Sequence, residues 1–132
     1  GYIPEIANAA IKHNISAIIL TNTTNGNRSN LKSKFKDEEG GLSGKPLYQL
    51  SNNMIKNFYK ELKNKIPIIG VGGVNSGKSA YDKIVAGASL LQLYTGFVYR
   101  GPSTAKEIKK ELIEILKAEG MKNIEEAVGK GV

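Results

Sequence analysis

The chain is 132 residues long, 40% hydrophobic and 23% charged, with no Cys, no Trp and a formal net charge of +7 from 19 Lys+Arg against 12 Asp+Glu. That balance is the composition of an ordinary globular domain, and the missing cysteines exclude a disulfide framework, a thiolate nucleophile and a Cys-ligated zinc. A lone His13 cannot build a histidine metal cluster, so no metal site is expected, and no apolar run approaches the roughly 20 residues of a membrane-spanning helix.

In chain order, Ile6, Ala7, Ala10 and Ile11 fall on one helical face within residues 4–13, and residues 16–22 then form a strand too apolar to be half exposed. Residues 23–46 have no periodicity, carry Asn25-Gly26 and Gly40-Gly41, and make a long loop of the kind that is usually functional. Leu47, Leu50, Met54, Phe58 and Leu62 recur at spacings of three and four, which predicts an amphipathic helix ending near Lys65. A second buried strand is expected over 67–73, stopping at Gly72-Gly73, then a helix over about 76–86 and a third strand over 89–94 that closes on Thr95-Gly96. Pro102 opens a last helix with Ile108, Leu112, Ile115 and Leu116 as its buried stripe, and weaker helix follows Gly120. Strands alternating with helices of this length build a parallel sheet, so the fold class is α/β.

In parallel α/β folds ligands gather at the carboxyl ends of the strands. Those ends carry Thr21-Asn22-Thr23-Thr24, Gly70-Val71-Gly72-Gly73-Val74-Asn75 and Tyr94-Thr95-Gly96. Paired glycines at a strand end let backbone N–H groups come within hydrogen-bond distance of a phosphate, and polar Thr and Asn at another end can fix a planar polar ligand.

Two other functions are open from the residues alone. Gly72 to Ser79 spells G-x-x-x-x-G-K-S between a strand and a helix, the pattern of a nucleotide-binding P-loop. A P-loop enzyme also needs a strand-end carboxylate for Mg²⁺, and the only aspartates are Asp37 in the long loop and Asp82 in a helix. A glycine phosphate turn that happens to precede Gly77-Lys78-Ser79 is the simpler account. The positive charge raises the third possibility, a nucleic-acid-binding domain. Of the basic residues 17 are Lys and only Arg28 and Arg100 are Arg, while Lys, Ile and Asn (17, 15 and 12 residues) make up a third of the chain, so coding bias explains the charge and no nucleic-acid partner is expected.

Four blocks in order carry a resemblance: Ile19-Leu20-Thr21-Asn22-Thr23-Thr24, Gly40-Gly41-Leu42-Ser43-Gly44-Lys45-Pro46-Leu47, Pro67-Ile68-Ile69-Gly70-Val71-Gly72-Gly73-Val74, and Gly87-Ala88-Ser89-Leu90-Leu91-Gln92-Leu93-Tyr94-Thr95-Gly96 with Gly101-Pro102 after it. Together they resemble the C-terminal half of class 2, quinone-dependent dihydroorotate dehydrogenase. The resemblance implies a single partial domain over residues 1–132, the C-terminal portion of a (β/α)₈ TIM barrel. Its three parallel strands would be barrel strands six to eight, and residues 23–46 a loop on the active-site side.

It also implies an FMN flavoprotein that oxidises dihydroorotate to orotate in pyrimidine biosynthesis with quinone as acceptor. Thr21 and Gly44 would contact FMN, Gly72, Gly73, Tyr94 and Thr95 would bind its phosphate, and Asn22 and Thr23 would hold the substrate, while Lys78 stays solvated. The family's catalytic base and its membrane-associating helices lie upstream of the matched region. No catalytic residue is therefore expected within the chain, which would be soluble and inactive by itself, whereas the full-length family sits peripherally on the cytoplasmic side of a membrane. The first residue is Gly1 and the first Met is Met54, so the sequence does not begin at an initiator, and the resemblance leaves open a cropped chain, a truncated gene or a split gene with a complementary N-terminal half.

Overall fold

The computed structural model describes residues 1–26 and 28–132. Helix α1 (Ile3–Lys12) leads into strand β1 (Ile18–Leu20), and a long loop ends in a 3₁₀ turn (Lys45–Leu47) that runs directly into α2 (Tyr48–Leu62). Strand β2 (Ile68–Val71), α3 (Gly77–Val85), β3 (Leu90–Gln92), a short α4 (Thr95–Arg100), α5 (Thr104–Ala118) and a second 3₁₀ turn (Ile124–Ala127) complete the order. The strands pair in parallel as β1-β2-β3, in the register Ile19↔Ile69 and Ile69↔Leu90. The predicted order of helices and strands is thus observed, with each strand shorter than its apolar run.

All the helices whose contacts define the core lie on one side of the sheet. Ala7 and Ala10 of α1 and Ile55, Phe58 and Leu62 of α2 pack with Leu20, Ile68 and Ala88. A second cluster joins Val74, Ala80 and Ile108 against Leu91, Leu93 and Leu112, where α5 lies on α3. The other face of the sheet carries the cross-strand row Ile19, Ile69, Leu90, of which Ile19 is 54% and Leu90 60% exposed. The first strand is therefore not uniformly buried as its composition predicts: side chains alternate across a strand, and only one face is covered.

Two helices differ from their periodicity. In α2 the buried stripe is Ser51, Ile55, Phe58 and Leu62, with Leu50 and Met54 turned outward, because Ser51 is drawn inward by hydrogen bonds beneath β2. In α5 Ile108 is buried, whereas Ile115 and Leu116 are only half-buried, since the helix outruns the element it packs on. Helix α4 is absent from the sequence-based expectation. The last segment is anchored: Asn123 caps the 3₁₀ turn, and the Gly129 and Gly131 amides donate to the Ile84 and Val85 carbonyls at 3.1 and 2.9 Å. Among the described residues no helix is long and apolar enough to cross a membrane.

Candidate functional site

The carboxyl ends of the three strands meet in one cleft of about 170 Å³. Its lining includes Thr21, Asn22 and Thr23 after β1, Gly44 from the long loop, Gly72 and Gly73 after β2, and Tyr94 and Thr95 after β3. All eight residues singled out from the sequence therefore come together, across a separation of more than 70 positions in the chain.

Each is positioned by an identifiable contact. The Val71 carbonyl, last in β2, accepts from the Thr21 N–H at 3.2 Å, so the β1 exit is tied to the start of the glycine turn. Asn22 Oδ1 accepts from the Thr23 N–H at 2.7 Å, which leaves the side-chain NH₂ as the group able to donate to a ligand carboxylate. Thr24 and Leu42 form an isolated antiparallel bridge that folds the long loop back on itself. The loop is organised round Arg28, whose guanidinium donates to the carbonyls of Lys36, Glu38 and Gly40. It returns to the cleft where the Ser43 and Thr95 hydroxyls meet at 3.0 Å, and a Cβ on Gly44 would stand 2.8 Å from Thr95 Cγ2.

Gly72 and Gly73 both have positive φ, +110° and +76°. Sequence reasoning assigns Gly73 to close approach of a phosphate. The structure adds a stronger requirement, because a Cβ there would lie 2.6 Å from the Tyr48 Cα at the start of α2. Gly96 in turn lies against the Val74 carbonyl, at 2.3 Å from its own would-be Cβ, which brings the turns after β2 and β3 into backbone contact. Among the described residues the N–H groups of Gly73 and Val74 donate to no protein acceptor, and the cleft is lined by no carboxylate. That donor set fits a phosphate. The cleft is smaller than the roughly 300–1,000 Å³ of pockets that enclose a whole ligand, as suits one side of a larger site.

Four side chains that sequence reasoning does not single out support this corner from behind. Lys83 of α3 is fully buried and donates to Ser51 Oγ and Asn52 Oδ1 of α2 at 2.9 and 2.7 Å, and Ser51 Oγ donates to the Val71 carbonyl at 2.6 Å. Burial pushes the Lys83 pKa down to about 8. Tyr48 donates to Asp82, and burial followed by that hydrogen bond pushes its phenol up to about 12. Nothing in the local pattern marks these residues, since their partners lie on other elements.

The P-loop look-alike is spent on the helix itself. Ser79 Oγ accepts from the Asn75 and Ser76 amides at 2.9 Å each, completing a capping box with Ser76. The Gly77 N–H is taken by the Glu111 carboxylate, and Lys78 is solvated and paired with Asp82. A triphosphate would have to displace a carboxylate from the helix terminus. Both arginines are likewise engaged internally, Arg28 in its loop and Arg100 with the Asn75 carbonyl, Glu107 and Glu111, which leaves the basic surface to dispersed lysines.

The family model described as dihydroorotate dehydrogenase matches residues 2–116. The mitochondrial dihydroorotate dehydrogenase (quinone) of Arabidopsis thaliana is 46% identical over 130 residues, covering 98% of this chain and 28% of that protein. The dihydroorotate dehydrogenase (quinone) of Xanthobacter autotrophicus is 46% identical over 127 residues, 96% of this chain and 36% of its own length. A crystal structure of the ligand-free enzyme from Eimeria tenella superposes with a TM-score of 0.93 at 39% identity, over 97% of this chain and 35% of that one. The chain thus spans about a third of the length of the relatives it matches. With a family match over residues 2–116, this level of identity and this superposition, the chain belongs to the dihydroorotate dehydrogenase family.

Proposed function

We propose that this chain forms the flavin-phosphate and substrate corner of a quinone-dependent dihydroorotate dehydrogenase. The observation that carries the proposal is the convergence of Thr21, Asn22, Thr23, Gly44, Gly72, Gly73, Tyr94 and Thr95 on one cleft at the strand ends. The strand-end turns would hold FMN, and the flavin would supply the redox chemistry that takes two electrons from dihydroorotate and delivers them to quinone. The chain's own residues bind and orient. Gly73 and Val74 offer N–H donors to the phosphate, with the Tyr94-Thr95 turn on its other side, and Gly44 lets the loop backbone come close. Asn22 donates its NH₂ to the substrate carboxylate, and Thr23 adds a hydroxyl to the ring.

No residue lining the cleft is poised as a general base, because the Ser43 hydroxyl is held by Thr95 and the rest are Thr, Asn, Gly, Leu, Val and Tyr. Proton abstraction belongs to the complementary part of a barrel, which also covers the bare face of the sheet. Three strands supply an arc, and closure takes eight. The test is reconstitution: this chain is mixed with the remaining segment of the Xanthobacter relative, and FMN retention and dihydroorotate oxidation with quinone are measured. Turnover by the mixture and by neither part is expected, and Asn22→Ala should raise the KM for dihydroorotate. A mixture that binds FMN no better than its parts would overturn the proposal.

A further inference from the structure

Lys83 is the largest fully buried side chain among the described residues, and it has no carboxylate partner. Its stem crosses the face of Gly70 in β2: a Cβ on that glycine would lie 2.7 Å from Lys83 Cδ and 2.8 Å from Cγ. The ammonium then donates to two neutral oxygens, Ser51 Oγ and Asn52 Oδ1. The neighbouring acid, Asp82, is committed to Tyr48 and Lys78. A methionine, one atom shorter, would fill the stem's slot without removing a charge from water, so packing alone does not account for a lysine here. Burial drives its pKa down to about 8, the direction expected of a cation that the fold holds at a cost.

What the ammonium reaches explains it. Ser51 accepts from Lys83 and donates its own hydroxyl to the Val71 carbonyl, which also accepts from the Thr21 N–H. Hydrogen bonds in such a chain polarise one another, so the charge strengthens the Ser51 bond to the Val71 oxygen, and this bond together with the Thr21 N–H on the same oxygen fixes the plane of the Val71–Gly72 peptide. Ser51 also sits directly under Gly72, with its Cβ 3.2 Å from where a Gly72 Cβ would be. We propose that Lys83 is a positioning residue which, through Ser51 and the shared Val71 carbonyl, locks the exits of β1 and β2 in the geometry that presents Thr21 and the Gly72-Gly73 turn to the ligand. Its effect on FMN rests on the function proposed above, but its effect on the two strand exits does not.

The experiment separates those two parts. Amide hydrogen exchange and backbone chemical shifts of the 132-residue chain are compared with those of Lys83→Met and Ser51→Ala. The expected result is exchange at the Thr21 amide faster by about tenfold or more, with shifted Gly72 and Gly73 amides, while the α1–α2 core keeps its protection and the thermal midpoint of Lys83→Met is unchanged or raised. The two variants should give the same local pattern, since both cut the same chain of bonds. An unchanged Thr21 amide in either folded variant overturns the proposal, and if Lys83→Met does not fold, Ser51→Ala decides. FMN and riboflavin titrations are run in parallel. A preference for FMN that drops about tenfold in both variants, with riboflavin unaffected, extends the role to the phosphate. A parent with no preference counts against the flavin-phosphate assignment and leaves the exchange result standing.

Discussion

The two faces of the sheet are built from the same kinds of residue and meet opposite fates. On the helix side Ile18, Leu20, Ile68 and Leu91 pack with α1, α2, α3 and α5 into continuous core. On the other side Ile19, Ile69 and Leu90 stand in register across all three strands, and among the described residues no element is laid over them. Parallel strands are written for burial on both faces, and their near-continuous apolar runs reflect that. The difference teaches that this chain closes one layer of its architecture and leaves the second bare. The cleft at the strand ends sits where the two meet, finished on the side of the Gly72-Gly73 turn and open toward the bare face.

The largest effect expected from that contrast is on activity. The purified chain with FMN, dihydroorotate and quinone should turn over slower than a complete family member by about a thousandfold or more, because the cleft offers no base. Measurable family-like turnover would force a search for a base within these residues, beginning with Ser43→Ala. Without a covering layer the chain should also self-associate through the apolar row and the free edges of β1 and β3. Full burial of the row is worth about 5 kcal/mol. Sedimentation should record concentration-dependent association that Ile19→Asp with Leu90→Asp abolishes, together with any gain from a complementary barrel segment. A parent that stays monomeric at every concentration would break the comparison.

On the finished side, Gly73→Val should unfold the corner and not merely block a ligand. A β-branched residue at φ +76° with its Cβ 2.6 Å from Tyr48 Cα combines backbone strain with a collision against the first turn of α2. The expected loss is about 3 kcal/mol or more in chemical denaturation, present with or without FMN. A variant of parental stability that had lost only phosphate affinity would restore the purely ligand-based role for this glycine.

The corner was legible where its information is local. Thr21, Asn22 and the glycine pair each follow an apolar run directly, and strand ends in parallel sheets are where ligands bind, so their convergence could be expected before any coordinates. Features that depend on other elements were not legible. Ser51 displaces Leu50 and Met54 from the buried stripe of α2 because the Val71 carbonyl and the Lys83 ammonium wait beneath it. Lys83 reads as a surface lysine in any helical pattern until Gly70 is seen making room for its stem. Helix α4 has only six residues and opens with Thr95-Gly96, too short a stretch for periodicity to register. Ile19 and Leu90 could not be assigned as exposed, since their sequence context belongs to a closed barrel.

Lys83 gives the finished side a pH signature that the bare face lacks. Its folded pKa of about 8 lies below the ordinary value of 10.5, so between those values the unfolded chain binds more protons and stability rises with pH. The gain between pH 8 and pH 10 should be about 2 kcal/mol. Above pH 10 the raised Tyr48 acts in the opposite sense, because the unfolded phenol ionises first and stability falls. Urea midpoints measured at pH 7, 8, 9 and 10 should climb in the parent and stay flat in Lys83→Met. A flat parental profile would mean that the ammonium is better solvated than its burial implies.

The smallest expected effects separate the look-alike motif from the helix it caps. Ser79 closes a reciprocal cap at the start of α3, accepting from two amides and tying the turn after Val74 to the helix, so Ser79→Ala should cost about 1 kcal/mol. Lys78 is 74% exposed and reaches only Asp82 one turn along, the geometry of a pair worth a few tenths of a kcal/mol. Lys78→Ala should therefore move the urea midpoint far less than Ser79→Ala and leave any FMN affinity of the reconstituted barrel at the parental level. Were Lys78→Ala to abolish phosphate binding while Ser79→Ala spared it, phosphate recognition would pass from the Gly72-Gly73 backbone to the lysine, and the finished side of the sheet would have to be redrawn around α3.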